Sequence, residues 1–399
     1  MIKLAIAGNP VFHSKSTKLF QILSKKHSVE LKYLPISIPD CKSIIDFSEY
    51  LNLDGFNITT PIKQSIMELL SKIDYQASNL NSVNTVLKNN NSLIGYNTDY
   101  FGILQTIWDN KLILNKKKVV ILGAGSAART AAFAIRNLNA KTYIWDRNED
   151  KAIRVAEELS VLSISDNKLI QQINKFDYIV STIPPNSKIL RELKFSNNQI
   201  IIDTIYHNSY FNENQKIYNY TFISGYNWLI NQALLSFEMF TGIHSQKELI
   251  SNEFYNQIQK KHKDFIFIGS ITDDAKEILQ FLANQLNFKT IFLSEEINKV
   301  NNTKGNLNNE NSSSIIQDLF SKLKKSKDKN LVIFDNLQDN PYLIEIAKKY
   351  GNVIWLFNPE LLSTYKNDLL YNNSDFIFML SSDMNESKER IVSEISRLI

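Results

Sequence analysis

Three short segments near the start of the chain bring together one amine, one carboxylate and several amide and hydroxyl groups. They are Asn57-Ile58-Thr59-Thr60-Pro61-Ile62-Lys63, Ser82-Val83-Asn84-Thr85 and Gly95-Tyr96-Asn97-Thr98-Asp99. Hydride transfer to a ketone leaves an alkoxide that needs a proton, and the Lys63 ammonium can supply it if a carboxylate such as Asp99 orients it. The set indicates a proton donor beside a polar cup. By periodicity alone, a solvated lysine and an Asn-Thr-Asp turn explain the same residues more simply.

A glycine-rich turn follows these segments. Gly123-Ala124-Gly125-Ser126-Ala127-Ala128 comes after an apolar run and opens an alanine-rich stretch. Backbone N–H groups at such a helix N-terminus can hold a pyrophosphate. A tight strand-to-helix connection would explain the glycines alone, but the strand, helix and second strand together favour a dinucleotide site.

The second strand ends in Trp145-Asp146-Arg147-Asn148. Asp146 occupies the position that usually receives the ribose 2'-hydroxyl of NAD, whereas the Arg147 guanidinium can pair with the 2'-phosphate of NADP. The carboxylate would repel that phosphate, so the sequence leaves NADP and NAD both open. A surface ion pair between the two residues is the remaining alternative.

The elements that must position these residues follow from the apolar periodicity. A first β-α-β-α-β rhythm has strands at 3–8, 31–37 and 54–58 and helices near 17–28 and 41–52. A second, typical of a doubly wound sheet, has strands at 118–122, 141–146, 176–182 and 199–205 and a helix near 127–138. A long apolar helix at 226–242 can return to the first domain. A third rhythm has a helix near 274–286 and strands at 264–268, 289–293, 330–335, 352–356 and 375–380, with a mobile loop predicted at 298–314.

Composition limits the classes of function. With 399 residues and 43% apolar side chains, the chain can form more than one core. A net charge of +4, with lysines interleaved among acidic residues, gives no reason to expect a nucleic-acid or membrane partner. The lone Cys41 excludes an intrachain disulfide, and the five scattered His predict no metal site. No apolar run approaches a membrane span or a secretory signal, so we expect a cytoplasmic protein.

The opening segment Gly8-Asn9-Pro10-Val11-Phe12-His13-Ser14-Lys15-Ser16 resembles the start of shikimate dehydrogenases. The three chemical segments and the glycine loop follow in that family's order. Asp203-Thr204-Ile205-Tyr206 and the helix with Asn231-Gln232-Ala233 complete seven ordered motifs, which cover about residues 1 to 245.

The resemblance implies roles at matching positions. Lys63 resembles the catalytic lysine and Asp99 its partner at the substrate hydroxyls, while Ser14 and Ser16 resemble the hydroxyls that bind the substrate carboxylate. The other implied substrate contacts are Thr59, Asn84, Tyr206 and Gln232. The implied cofactor residues are Gly123, Ala124, Gly125, Ser126, Ala127, Asp146, Arg147, Asn148, Lys151, Thr204 and Gly225.

The chain departs from the family pattern at five positions. Thr17 stands where the family usually has Pro, and Asn81 where it usually has Gly. Asn227 and Trp228 replace a small residue and Met near the expected nicotinamide, so turnover or substrate choice can shift there. Asp146 replaces the usual Asn, which puts strict NADP use in question.

The last third resembles shikimate kinase in Phe265 to Gly269, Leu282 to Phe288, Tyr350 to Leu356 and the segment from Ser374. A phosphate loop starting at Gly269 needs glycine, lysine and a hydroxyl residue where Asp274, Ala275 and Lys276 stand. With Asp273, two carboxylates would face the phosphates and repel them. Leu293-Ser294-Glu295 replaces the acidic pair that holds shikimate and metal, and the glycine triplet and lid arginines are absent. Lys276 stands one residue beyond the lysine position. We rank the hypothesis that it restores phosphate binding well below that of a degenerate domain kept for structure, docking or regulation.

The resemblance therefore implies an α/β chain in four parts. A substrate domain at 1–100 with a return helix at 226–245 precedes a Rossmann-type NADP domain at 101–225. A linker at 246–263 leads to an eroded P-loop-kinase-like domain at 264–399. The expected activity is reversible reduction of 3-dehydroshikimate to shikimate with NADPH. The alternatives are a quinate/shikimate dehydrogenase using NAD, a bifunctional dehydrogenase and kinase, and a non-catalytic scaffold; the sequence does not indicate the oligomeric state.

Overall fold

The computed structural model describes residues 1–90, 92–206, 209–258, 265–270, 274–292, 330–335, 351–357, 372 and 374–398. The strands are β1 (Ile2–Gly8), β2 (Leu31–Ser37), β3 (Gly55–Ile58), β4 (Lys72–Ile73), β5 (Thr85–Asn89), β6 (Ser92–Tyr96), β7 (Lys118–Leu122), β8 (Lys141–Trp145), β9 (Leu162–Ser163), β10 (Tyr178–Ser181), β11 (Ile200–Asp203), β12 (Thr221–Ser224), β13 (Phe265–Ser270), β14 (Lys289–Phe292), β15 (Asn330–Asp335), β16 (Gly351–Phe357) and β17 (Phe376–Met379).

The helices are α1 (Ser16–His27), α2 (Cys41–Tyr50), α3 (Tyr75–Leu80), α4 (Thr98–Asp109), α5 (Ser126–Asn137), α6 (Glu149–Glu158), α7 (Asp166–Gln172), α8 (Tyr210–Tyr218), α9 (Tyr226–Thr241), α10 (Lys247–Ile258), α11 (Asp274–Leu286) and α12 (Met384–Leu398). Single 3-10 turns lie at Ser65–Leu69, Ile173–Lys175 and Lys188–Arg191. The predicted mobile loop at 298–314, the segment 293–295 and residues 271–273 of the phosphate loop lie outside the described residues.

The chain divides into two compact units, residues 1–69 with 253–399 and residues 70–252. In the first unit, eight strands run parallel in the order β14-β15-β13-β16-β17-β2-β1-β3. Parallel strands are covered on both faces, which explains why β1 and β2 are nearly continuous apolar runs. Leu4, Ala5 and Ala7 of β1 are completely buried.

The C-terminal strands of this unit contain a point where the strand order reverses. The chain leaves β13 for β14 and β15 on one side and then crosses to β16 and β17 on the other. Ligands of open parallel sheets bind at the carboxyl ends of the strands at such a point. Strand β13 lies at this point of the sheet.

The second unit contains six parallel strands in the order β12-β11-β10-β7-β8-β9. Helix α5 covers one face, and its buried side includes Ala128, Ala131 and Ala132. Small side chains let this helix lie close to the strands, and alanine also favours the helix itself. The unit also holds the antiparallel hairpin β5-β6, with Thr85 opposite Tyr96, and the short β4 beside β6.

A helix occupies most of the segment predicted to be a linker. Helix α10 covers Lys247–Ile258, and its first residue is tied to the second unit because Lys247 Nζ donates to Asp109 at 2.9 Å and to Asn227 at 2.7 Å. Most of its residues are polar, but Ile250 and Phe254, one turn apart, are completely buried. The predicted domain boundaries themselves remain predictions.

Candidate active site

Lys63 and Thr59 lie just past the carboxyl end of β3 in the first unit. The Thr59 backbone N–H donates to Ala7 at 2.9 Å, and the Thr60 carbonyl accepts from Asn9 at 3.0 Å. A side chain at Gly8 would collide with Thr59, so glycine permits this close approach of the two strand ends. The Lys63 side chain is half-buried.

Ser14 lies on the loop that leaves β1, and Ser16 directly follows that loop as the first residue of α1. The Ser14 N–H donates to the Val11 carbonyl at 2.9 Å, which closes a turn, and the Ser16 N–H donates to Ser14 Oγ at 3.3 Å. Because β1 and β3 are parallel neighbours, their carboxyl ends share one edge of the sheet. Four predicted substrate residues of the first unit, the two serines with Thr59 and Lys63, therefore follow neighbouring strands at this edge.

Asn84 organises the predicted substrate residues of the second unit. It is buried; its Oδ1 accepts from the Thr98 N–H at 2.7 Å, and its Nδ2 donates to Thr98 Oγ1 at 3.0 Å. The Thr98 hydroxyl also lies 3.0 Å from Ser236 Oγ and 3.4 Å from Gln232 Oε1 of α9. This network fixes the first turn of α4, which carries Asp99.

Helices α4 and α9 pack closely where Gly102 faces Gln232 and Trp228. A Cβ at Gly102 would lie 2.8 Å from Gln232 Cβ and 2.9 Å from Trp228 Cδ1. The Trp228 indole N–H donates to the Asp99 carbonyl at 2.8 Å, and the side chain is buried in the core of this unit. The Trp that replaces the family's Met therefore holds the backbone of Asp99.

Two other departures have structural explanations. Asn81 ends α3 with a left-handed φ of 49°, and its N–H donates to Ser78 at 3.0 Å. Asparagine tolerates this conformation better than most residues, so it can replace the usual glycine there. Asn227 donates to Ser224 and accepts from Lys247, which makes it a link between α9 and α10. Nothing in the structure explains Thr17.

Tyr206 stacks on Tyr226, with ring centroids 4.7 Å apart. Burial and the neighbouring Tyr226 raise the pKa of Tyr206 to about 12. The phenol is protonated at neutral pH, as tyrosines ordinarily are, and the raised pKa extends that state to more alkaline pH.

The glycine loop has the geometry that a pyrophosphate site needs. Gly123 adopts a φ of 110°, and Gly125 is the N-cap of α5. A Cβ at Gly125 would meet no atom within 4 Å, so space lies open beside the helix N-terminus. The first N–H groups of a helix lack partners within it, so they can donate hydrogen bonds to the oxygens of a phosphate. The loop fits a dinucleotide.

Asp146 faces the loop. Its Oδ2 accepts from the Ala124 N–H at 2.8 Å, and its Oδ1 accepts from the Asn148 N–H at 3.0 Å. Both carboxylate oxygens are thus engaged by backbone groups. In contrast, the exposed Arg147 guanidinium has no hydrogen bond or ion pair to any residue that the structure describes.

Asn148 and Lys151 begin the next helix. The Asn148 side chain caps α6 by accepting from the Lys151 N–H at 3.0 Å, and both side chains are exposed. Two cationic side chains, Arg147 and Lys151, therefore lie at the exposed start of α6, directly after the strand that ends at the loop.

Thr204 and Gly225 follow the neighbouring strands β11 and β12. A Cβ at Gly225 would lie 2.7 Å from the Thr204 carbonyl oxygen and would collide with that of Asp203. Glycine is therefore required for this approach. The structure brings these two predicted cofactor residues together.

Sequence reasoning missed two features of this unit. The Ser82 hydroxyl lies 2.9 Å from Ser126 Oγ and so ties the segment before Asn84 to the cofactor loop. Asp203 is buried and accepts from Ser209 Oγ at 2.6 Å, and burial raises its pKa to about 6. The family motif contains Asp203, but the hydrogen bond that it accepts comes from Ser209, which belongs to none of the motifs.

Within the described ranges, no group of three or more His, Cys, Asp or Glu could hold a metal ion. None of the described helices combines the length and the apolar character of a membrane-crossing segment.

Two family models match the chain. Residues 6–86 match the shikimate dehydrogenase substrate binding domain, and residues 106–203 match shikimate / quinate 5-dehydrogenase. The chain is 30% identical over 256 residues to the shikimate dehydrogenase (NADP(+)) of Methanococcus maripaludis strain S2, covering 92% of that protein and 60% of this chain. It is 31% identical over 283 residues to that of Methanococcus vannielii, covering 98% of the relative and 65% of this chain.

Solved structures of shikimate dehydrogenases also match the chain. A shikimate dehydrogenase crystallised with NADP+ is 27% identical, with a TM-score of 0.60, and the match covers 96% of it and 65% of this chain. Shikimate dehydrogenase 1 from Peptoclostridium difficile is 26% identical, with a TM-score of 0.56, and the match covers 100% of it and 65% of this chain.

Proposed function

Because this chain belongs to the shikimate dehydrogenase family, we propose that it catalyses the reversible NADP-dependent reduction of 3-dehydroshikimate to shikimate. The observation that carries the proposal is that every reactive residue of the family's pattern is present. Lys63 and Asp99 each belong to a motif at family spacing; Lys63 follows β3 along the chain, and Asp99 belongs to the first turn of α4. The two Methanococcus relatives bear the name of this activity.

In the proposed mechanism, Lys63 acts as general acid in reduction and as general base in oxidation. It donates a proton to the oxygen formed at the reduced carbonyl and recovers a proton from the hydroxyl in reverse. Asp99 orients the ring through an adjacent hydroxyl. The bound nicotinamide cofactor supplies or accepts the hydride.

The remaining substrate contacts suit a small ring with one carboxylate and several hydroxyls. Ser14 and Ser16 offer hydroxyl donors to the carboxylate. The Tyr206 hydroxyl can also donate, and Asn84 and Gln232 offer amide groups.

The hydrogen bonds of Asp146 support NADP over NAD. Two backbone N–H groups already occupy its oxygens, so a ribose 2'-hydroxyl would have to compete with them. Arg147 and Lys151 are exposed cations at the start of α6, where they can receive a 2'-phosphate. Gly123 to Ala127 would hold the pyrophosphate, with Thr204 and Gly225 beside them.

We further propose that the C-terminal segment is a kinase-like domain without phosphoryl-transfer activity. Its five parallel strands, with β13 at the reversal point and α11 directly after it, support a phosphate-loop ancestry. The acidic and alanine substitutions at Asp274 and Ala275 support the loss of phosphate binding. A cytoplasmic location also remains a prediction.

The experiment that tests the dehydrogenase proposal follows NADPH formation from shikimate and NADP+ by the purified full chain. Lys63→Ala should lower kcat by about 100- to 10,000-fold, the usual contribution of general acid–base catalysis. Lys42→Ala, which removes an exposed lysine of α2, is the matched control. Absence of activity in the unmodified chain would contradict the proposal and favour a scaffold, and preference for quinate with NAD would favour the alternative enzyme.

A further inference from the structure

A carboxylate from the C-terminal helix is buried against the loop that carries Ser14 and leads to Ser16 at the start of α1. Glu394 of α12 is fully buried, and its two oxygens accept from the Val11 N–H at 2.9 Å. One of them also accepts from the Phe12 N–H at 2.9 Å. These residues are about 380 positions apart in sequence, so the contact is a purely tertiary one.

The helix that carries Glu394 is fixed to the same sheet. Arg390, one turn earlier, donates to the Met379 carbonyl at 3.0 Å and to Ser37 Oγ at 3.3 Å. Strand β17 pairs with β2 through Ile377 and Phe378. The ring centroids of Phe12 and Phe376 are 4.7 Å apart, so the loop also packs against the first residue of β17.

Burial of a carboxylate is costly unless it is hydrogen-bonded and paired. Burial raises the pKa of Glu394, while the N–H groups of Phe12 and Val11, the Ser37 hydroxyl and the Arg390 charge oppose that rise. The buried loop N–H groups have Glu394 as their acceptor. The carboxylate and the loop conformation therefore depend on each other.

The loop transmits this constraint to the serines. Glu394 fixes the N–H groups of Val11 and Phe12, and the Val11 carbonyl in turn accepts from Ser14. Ser14 Oγ then accepts from the first residue of α1, Ser16. Removing the Glu394 carboxylate would take away the acceptor of the Val11 and Phe12 N–H groups, and so loosen the turn that holds Ser14.

We propose that the C-terminal segment is a structural part of the substrate carboxylate site, and that Glu394 is a positioning residue for Ser14 and Ser16. The proposal rests on the proposed function, since that function assigns the two serines to the substrate carboxylate. It gives the kinase-like segment a role in dehydrogenation that needs no nucleotide.

The test compares Glu394→Gln with Glu386→Gln in the full chain. Glu386 lies on the same helix and accepts from the exposed Ser381 hydroxyl, so the chemical change is matched while the loop is untouched. Both variants are assayed with shikimate and with shikimate methyl ester, which lacks the charged carboxylate. Circular dichroism and the KM for NADP+ report whether each variant is folded.

We expect Glu394→Gln to raise the KM for shikimate by about tenfold, which corresponds to one charge-assisted hydrogen bond. The ratio of kcat/KM for the acid to that for the ester should fall by a similar factor, and kcat and the KM for NADP+ should change little. Ser14→Ala and Glu394→Gln should combine less than additively, because both act on the same carboxylate contact.

The proposal would be overturned if Glu394→Gln lost kcat/KM equally on shikimate and on its methyl ester. Kinetics the same as those of Glu386→Gln would overturn it as well. If Glu394→Gln does not fold, Phe376→Leu loosens the same loop through the Phe12 ring without altering a buried charge, and an unchanged acid-to-ester ratio there overturns it equally. Failure of the unmodified chain to oxidise shikimate would instead reject the proposed function, so the two failures are distinguishable.

Discussion

Arg147 is an exposed cation beside a carboxylate whose oxygens are already engaged. Replacing it with Ala should raise the KM for NADP+ by about tenfold or more, because a charge-assisted contact to the 2'-phosphate is lost. The KM for NAD+ should change little. Arg154→Ala, an exposed arginine further along α6, is the control. An equal effect on both cofactors would mean that Arg147 contacts a part that NAD and NADP share.

Asp203 should make stability depend on pH. Its pKa is raised from 3.8 to about 6, so the folded state holds this proton more tightly than the unfolded chain. The contribution of Asp203 to the free energy of unfolding is therefore fully present below about pH 4 and is lost as the pH rises through 6, a change of about 3 kcal/mol.

Asp203→Asn isolates this contribution. The amide keeps partners for Ser209 and Ile205 but does not titrate, so its urea midpoint should fall less than that of the unmodified chain between pH 4 and pH 6.5. All other titrating groups are common to both proteins. Parallel midpoint curves would show that Asp203 does not carry the effect.

How far the site could be predicted differs from residue to residue. The types and order of Lys63, Asp99 and the glycine loop suffice to locate candidate chemistry, since those motifs are local. The state of Asp146 could not be predicted, because it depends on which backbone N–H groups the folded loop turns toward it. Glu394 gave no signal, because its partners Val11 and Phe12 lie far away in sequence.

The contact between α4 and α9 has no room for a side chain at Gly102. Gly102→Ala should separate the helices and destabilise the fold by about 1–3 kcal/mol through overpacking, partly offset by the better helix propensity of alanine. Because α4 carries Asp99 and α9 carries Gln232, kcat should fall as well. Thermal unfolding and steady-state kinetics measure the two effects.

Gln105→Ala is the comparison for that variant, since Gln105 is exposed on the same helix. It should change the melting temperature little. If Gly102→Ala behaves like Gln105→Ala, the close packing of these helices is not a constraint on the site.

The elements that sequence periodicity predicts best are the long apolar strands and amphipathic helices. Strands predicted at 31–37 and 118–122 correspond to β2 and β7, and the helix predicted at 274–286 to α11. The hairpin β5-β6 was not predicted, because its strands are five residues each and half-exposed, so apolar alternation is weak. Helix α10 was missed for a related reason, since its polar residues resemble a linker.

The whole chain should lack shikimate kinase activity. The sequence after β13 has Asp274 and Ala275 at the positions where a phosphate loop has glycine and lysine. Incubation with ATP, Mg2+ and shikimate should yield no phosphorylated shikimate by mass spectrometry. The same sample's dehydrogenase activity shows that the protein is folded, and formation of the phosphorylated product would establish the bifunctional alternative.

The pairing of β17 with β2 has a consequence for biosynthesis. Ile36 is translated about 340 residues before its partner Ile377, which at 5–20 residues per second is roughly 20–70 s. Throughout that interval the outer side of β2 is an unpaired edge, and an exposed edge of this kind can pair with other chains. Nascent chains should therefore depend on chaperones, and premature stop codons before β17 should yield aggregating products even though the motifs of the dehydrogenase have been synthesised.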